Sequence, residues 1–281
     1  MTAGVRATTT PATGPATPGE IARAFVDARQ AARALPGFPG PVPATLAESY
    51  VIQDAAIALW PDDIAGWKVG RVPPHLQALL GEERVGGPSF LSALRMARPG
   101  ETVALPVITG GFAAVEAEFV FRLGRDAPVG KTDWTSQEAL AVVDALHIGV
   151  EFAGSPLAAI NDLGSTVVAA DFGNNAALVI GPEVQNWRAR SDDSLACETF
   201  IDGVSVGAGT AASVPGGPAP ALAFLLGHCA ARGRPLTAGQ YVTTGAATGI
   251  HEIRAGQTAR VNFGEFGEIL CVAEIARPTT R

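Results

Sequence analysis

Two glutamates, Glu116 and Glu118, sit two residues apart inside the apolar run VEAEFVFRL, residues 115–123. On a strand, residues i and i+2 share a face. Both carboxylates therefore stand together while Val115, Ala117, Phe119 and Phe121 pack the opposite side. Like charges that close repel unless something positive lies between them. The segment is either a strand whose polar face meets water or one whose carboxylates share a cation. A third carboxylate, Glu151, follows in HIGVEFAGSPL among Ile148, Val150 and Phe152, where a lone charge is costly to bury and needs a partner. Three hard oxygen donors with no cysteine among them suit Mg²⁺, Mn²⁺ or Ca²⁺. His147 reads as a further ligand, a proton carrier or a structural histidine.

Lys68 is the other marked residue. It lies in GWKVG, flanked by Trp67 and Val69 and bracketed by Gly66 and Gly70, which let a backbone or a ligand approach closely. Such a lysine either snorkels to water or acts on a bound anion as electrostatic clamp or proton donor.

The chain carries 20 basic against 27 acidic residues, a net charge of −7, which argues against a grip on nucleic-acid phosphates. No apolar run approaches the ~20 residues that span a bilayer. The three cysteines, Cys197, Cys229 and Cys271, are widely spaced and form no CxxC; they read as small buried hydrophobes. With neither an apolar leader core nor an arginine-rich transit segment, the expectation is a cytoplasmic protein.

Residues 1–17, mostly Thr, Pro, Ala and Gly, read as a disordered tail. Thr17-Pro18-Gly19-Glu20 and Thr45-Leu46-Ala47-Glu48 are capping boxes, opening one helix to about Ala34 and another to about Trp60. Beyond Ala65, short β-like runs, STVVAA among them, are separated by Gly, Pro, Asn and Asp. Helical spacing returns only from Ser136 to about Leu146 and from Pro218 to about Arg232. This pattern predicts an α+β fold, a helical N-terminal part (residues 18–98) packed on a mostly antiparallel β-rich catalytic domain (residues 99–281). Gly203-Val204-Ser205-Val206-Gly207 matches a nucleophile elbow, but Asp202-Gly203 between two β-like runs predicts a hairpin turn instead. Gly130-Lys131-Thr132 lacks the leading glycine of a phosphate loop, since position 125 is Arg125.

Taken in order, GWKVG, HLQALLG, VEAEFVFRLGRD, VEFAGSPL, INDLGSTVVAADFGNNAALVIG and TTGAATGIHEIRAGQTARVNFGEFGEI resemble the 2-keto-4-pentenoate hydratase branch of the fumarylacetoacetate hydrolase superfamily, over roughly residues 19–275. The resemblance implies a β-roll body and a divalent metal, Mg²⁺ or Mn²⁺, held by Glu116, Glu118 and Glu151. It also implies a substrate-contacting Lys68 and substrate contacts near Asp171 and at Thr244 and Gly245. The chain departs from the branch in having Arg71-Val72-Pro73-Pro74 where a Thr-Ser pair is common, and DFGNNAA in place of an ADNA-like segment.

The expected reaction is metal-dependent hydration of a short 2-hydroxy-2,4-dienoate to a 4-hydroxy-2-oxo acid, with Lys68 on the substrate and Asp162 or Asp171 as base. Arg71 is expected to compensate the charge of the incoming acid. Decarboxylation of a 2-oxo-hexenedioate, hydrolysis of an acylpyruvate-like diketone, and a metal-binding support subunit are the alternatives. The expected partners are a small 2-oxo or 2-hydroxydienoic acid and further copies of the chain in a homo-oligomer, with no nucleic acid and no membrane.

Overall fold

The computed structural model describes residues 15–279. The tail expected over residues 1–17 falls outside them except for residues 15–17. Helix α1 (Pro18–Gln30) opens on a closed capping box, in which the Thr17 side chain accepts from the Glu20 N–H and the Glu20 side chain accepts from the Thr17 N–H. It buries Ile21, Phe25 and Ala28 and stops short of Ala34, because Ala32 turns into the left-handed region at φ 49°. Helix α2 (Leu46–Leu59) lies against it.

From Ile64 the chain enters a sheet. Strands β1 (Ile64–Arg71) and β2 (Arg84–Phe90) flank the short helix α3 (Pro74–Leu80), and β3 (Leu94–Met96) follows. Next come β4 (Thr102–Val107), β5 (Phe112–Leu123), helix α4 (Ser136–Ala141), β6 (Val143–Ser155), helix α5 (Ser165–Ala170) and β7 (Asn175–Glu183). The remainder is β8 (Ala196–Ile201), β9 (Val204–Thr210), helix α6 (Pro218–Ala231), β10 (Tyr241–Thr243), β11 (His251–Glu252), β12 (Thr258–Asn262) and β13 (Glu268–Ile275). One sheet has the order β2-β1-β10-β5-β6-β7-β3, with β11 also on β5; the second runs β4-β13-β12-β8-β9. Most pairings are antiparallel, but β1 with β10, β3 with β7 and β4 with β13 are parallel. Residues 18–98, expected to be helical, thus also supply three strands to the sheet that carries the glutamates.

Two local expectations give way to tertiary context. STVVAA, β-like by its valines, is helix α5. Gly164, at φ 97°, starts it, and α2 covers its buried side, with the Gln53 amide donating to the Ala169 carbonyl at 2.6 Å. The helix expected from Ser136 to Leu146 ends at Ala141, since β6 pairs with β5 from Val143 onward. The hairpin reading of residues 202–203 holds, with Asp202 at φ 48° and Gly203 at φ 79° between β8 and β9.

The parallel contact of β1 with β10 depends on a glycine. A side-chain carbon at Gly66 would fall on the carbonyl oxygen of Tyr241. Gly66→Ala should therefore destabilise the fold by about 1–3 kcal/mol, read by denaturant unfolding. A stability equal to wild type would mean that β1 and β10 do not approach as described.

Candidate metal and substrate site

The antiparallel register of β5 and β6 sets Glu116 directly opposite Glu151, with Glu118 opposite Gly149. Carboxylate oxygens of the three lie within 4.8 Å of one another. The reverse face of β5 is as expected: Val115, Ala117, Phe119 and Phe121 are all buried. The glutamate face is also shut off from water, with Glu116, Glu118 and Glu151 at 5%, 0% and 0% exposure. This excludes the solvated-strand reading.

Lys68 comes in from β1, two strands away across β10. Its Nζ lies 3.2 Å from Glu151 Oε1, and Gly173 packs on its stem. Thr243, the last residue of β10, donates from Oγ1 to Glu151 Oε2 at 3.2 Å, and the Asn175 amide donates to Oε1 at 3.3 Å. Beyond β10 the chain runs on alongside β5, where the N–H groups of Thr244 and Gly245 donate to Glu118 Oε2 at 3.1 and 2.8 Å. Glu118 Oε1 is left buried with no partner.

Burial pushes the Glu116 carboxyl up to about 8, helped by the charge of Glu151 and opposed by Lys68. Burial likewise holds Glu118 well above its usual range; Glu151 and Glu116 add to this, while the Gly245 N–H and Lys68 oppose it. For Lys68 burial works to lower the pKa, but attraction to Glu151, Glu116 and Glu118 outweighs it and the ammonium lies above its usual value. One lysine cannot balance three buried carboxylates. An orphaned carboxylate oxygen beside two others is the donor set of a hard divalent cation, and the residues present fit one.

A cavity of about 370 Å³ opens on this cluster. Lys68, Glu116, Thr244 and Gly245 form part of its wall, and Arg71 joins them where it meets solvent. Asp162 and Asp171 do not line it. Asp162 is exposed, whereas Asp171 is buried and committed, accepting from Arg29 Nε and Ser155 Oγ, each at 2.6 Å. Both oxygens of Asp171 are thus occupied and neither aspartate faces the cavity, so neither stands where a base is needed. Thr244 and Gly245 reach the cavity, but their N–H groups are spent on Glu118. His147 shares the glutamates' face of β6, yet its Nδ1 contacts the Gly181 carbonyl at 3.0 Å, outside the carboxylate cluster.

The sequence reading missed Thr243, Arg29 and the contact of Asn175 with Glu151. Arg29 had a signal, since it lies four residues after Phe25 on the buried side of α1. Its guanidinium binds Asp171 and the carbonyls of Gly154 and Asn175, bracing the segment that presents Asn175 to Glu151. The cysteines are buried and free, with burial pushing Cys197 and Cys271 each up to about 12; they stay thiols.

Two measurements test the cluster. Glu116 and Glu118 have folded values above their unfolded ones, so their neutral forms favour the fold and that stability is lost as they ionise. Metal-free protein should lose thermal stability as pH rises from about 4.5 to about 8, and Mg²⁺ should restore it. Flat melting temperatures across that window, with and without Mg²⁺, would contradict the cluster. Glu118→Gln should weaken Mg²⁺ binding by titration calorimetry by about tenfold or more, since even partners of ligands cost 10–100-fold. It should also leave the metal-free fold at least as stable as wild type.

No family model matches the chain. A 2-keto-4-pentenoate hydratase of Paraburkholderia xenovorans is 26% identical over 206 residues, covering 73% of this chain and 74% of that protein. A 2-keto-4-pentenoate hydratase 3 of Pseudomonas putida gives the same figures. Among solved structures, 4-oxalocrotonate decarboxylase from Pseudomonas putida G7, complexed with magnesium and adipate, superposes with a TM-score of 0.75 at 19% identity, covering 91% of this chain and 97% of that one. Fumarylpyruvate hydrolase from Pseudomonas aeruginosa, in complex with Mn²⁺ and pyruvate, superposes with a TM-score of 0.55 at 18% identity, over 74% and 88%. By sequence the chain is similar to the 2-keto-4-pentenoate hydratases, and it shares the fold of the solved 4-oxalocrotonate decarboxylase and fumarylpyruvate hydrolase.

Proposed function

We propose that the protein is a divalent-metal-dependent hydro-lyase that adds water to a 2-hydroxy-2,4-dienoate to give a 4-hydroxy-2-oxo acid. The observation that carries this reading is the buried Glu116, Glu118 and Glu151 cluster, with Lys68 against it, at the inner end of a cavity. The three glutamates would hold Mg²⁺ or Mn²⁺, which would supply Lewis acidity toward a bound 2-oxo acid.

The chain's own groups do the rest. Lys68 places a positive charge where the substrate's C1 carboxylate arrives and can pass a proton at Nζ. Thr244 and Gly245 act through Glu118, fixing its Oε2 so that Oε1 stays free. Asn174 lines the cavity with its Oδ1 buried and unpartnered; this oxygen accepts a hydrogen bond from the attacking water. In the overall change the proton on O2 leaves and one arrives at C5. Water oxygen then joins C4 as its proton joins C3, so that one water is added and none released.

A hydrolase that activates water through a glutamate–histidine pair is disfavoured, because none of the four histidines lines the cavity. A silent metal-binding subunit would have no use for a cavity opening on the metal ligands.

The test is turnover of 2-hydroxydienoates, 2-oxo-enedioates and acylpyruvates with Mg²⁺ and Mn²⁺, followed by ultraviolet absorbance. Dienoate hydration that stops when the metal is chelated is the expected result; hydrolysis of the acylpyruvate alone would replace the reading. Lys68→Met keeps the stem and deletes the charge. It should lower kcat/KM by about 100-fold or more, with Mg²⁺ binding retained. An effect under about twofold would remove Lys68 from the mechanism.

A further inference from the structure

The outer end of the cavity holds a pairing that the fold alone does not account for. Arg71 and Arg84 face each other directly across β1 and β2, the last cross-strand pair of that ladder, and both line the cavity. Side chains so opposed have Cβ atoms about 4.5–5.5 Å apart, and like charges there are destabilising. Arg71 joins no ion pair among the described residues. Arg84 donates to the Pro215 carbonyl at 2.5 Å, which fixes its guanidinium at the cavity wall. Its one carboxylate neighbour is Glu83, 3.5 Å away on a side chain 70% exposed, a weak and solvent-screened contact. Two guanidiniums are thus held together with only that exposed glutamate to offset them, on the wall of a cavity whose inner end already receives a 2-oxo acid.

We propose that Arg71 and Arg84 form a second carboxylate subsite, so that the substrate of this site is a 2-oxo diacid and not a short monoacid. Guanidinium forks suit a carboxylate, which can take two parallel N–H bonds from one arginine or bridge two. Lys68 and Arg71 are three residues apart on one strand, roughly 10 Å along it. Both line the same cavity, so an acid held by Lys68 at one end can present a distal carboxylate to Arg71 at the other. This inference rests on the proposed function, because the inner end of the acid is placed by the metal ligands and Lys68. It adds the distal group that the enzyme selects.

The test uses Mg²⁺-loaded full-length protein and two inert saturated probes that differ only at the far end, 2-oxohexanedioate and 2-oxohexanoate, titrated by calorimetry. The diacid should bind at least tenfold more tightly than the monoacid. The preference should fall to within about twofold in Arg71→Gln and in the Arg71→Gln, Arg84→Gln double variant. The single variant guards against misfolding, since Arg71 is exposed and carries no structural partner, whereas Arg84 also binds Pro215. Equal binding of the two acids to wild type would overturn the subsite while leaving the proposed function standing. A preference that survives in both variants would overturn the assignment to these arginines. Failure of both acids to bind would overturn the 2-oxo acid reading, and the subsite with it.

Discussion

Three carboxylates shut away from water around one ammonium is the constraint on which the rest of the structure depends. Burial and mutual repulsion both oppose ionisation of Glu116 and Glu118, so the arrangement persists only because other elements hold it. Thr243, Asn175 and Lys68 converge on Glu151, and the backbone of residues 244–245 holds Glu118. Outside that ring the Arg29 guanidinium reaches from α1 to Asp171 and to the carbonyls of Gly154 and Asn175. Its role at the site is to keep the segment bearing Asn175 from drifting. The site is expensive in isolation, and a divalent cation is the natural way to relieve it.

Much of this was legible in the residue string because of its period. The i, i+2 spacing of Glu116 and Glu118 in an apolar run predicted a shared strand face, and the isolated charge of Glu151 predicted a partner. Local chemistry also sufficed at the Thr17 cap and the Asp202-Gly203 hairpin. What the string could not show was register. Nothing local reveals that Arg84 faces Arg71 across the α3 connection, or that Thr243, far away in sequence, lies beside the strand carrying Lys68. Residues 165–170 failed for a related reason. Two valines and a threonine favour a strand locally, and only the packing surface of α2 makes them a helix. Asp171 drew notice only through the family resemblance, and the ion pair that commits it comes from a helix more than a hundred residues earlier.

In the proposed subsite, the paired arginines at the cavity mouth and the glutamates at its inner end would divide the labour of recognition. Charge chemistry at the inner end concerns the reacting half of the molecule and leaves little freedom to vary. Arg71 lies at the exposed end of the cavity, where a substitution touches neither the metal ligands nor Lys68. With the proposed subsite, substrate range would change there without disturbing the glutamate cluster or Lys68.

The place of β10 has a consequence for the order in which the protein is made. This three-residue strand is inserted between β1 and β5, although the chain enters β1 at Ile64 and reaches β10 only at Tyr241. A ribosome has therefore released Lys68 and all three glutamates well before it synthesises the strand that seats them side by side. The β5–β6 pair is complete in the chain long before β10 is made. Until β10 arrives, its acidic face lacks the strand that links it to Lys68 and the Thr244 and Gly245 amides that follow. The last third of the polypeptide thus sets when this centre becomes a site at all, and release of a competent enzyme waits on the closing of a gap one strand wide.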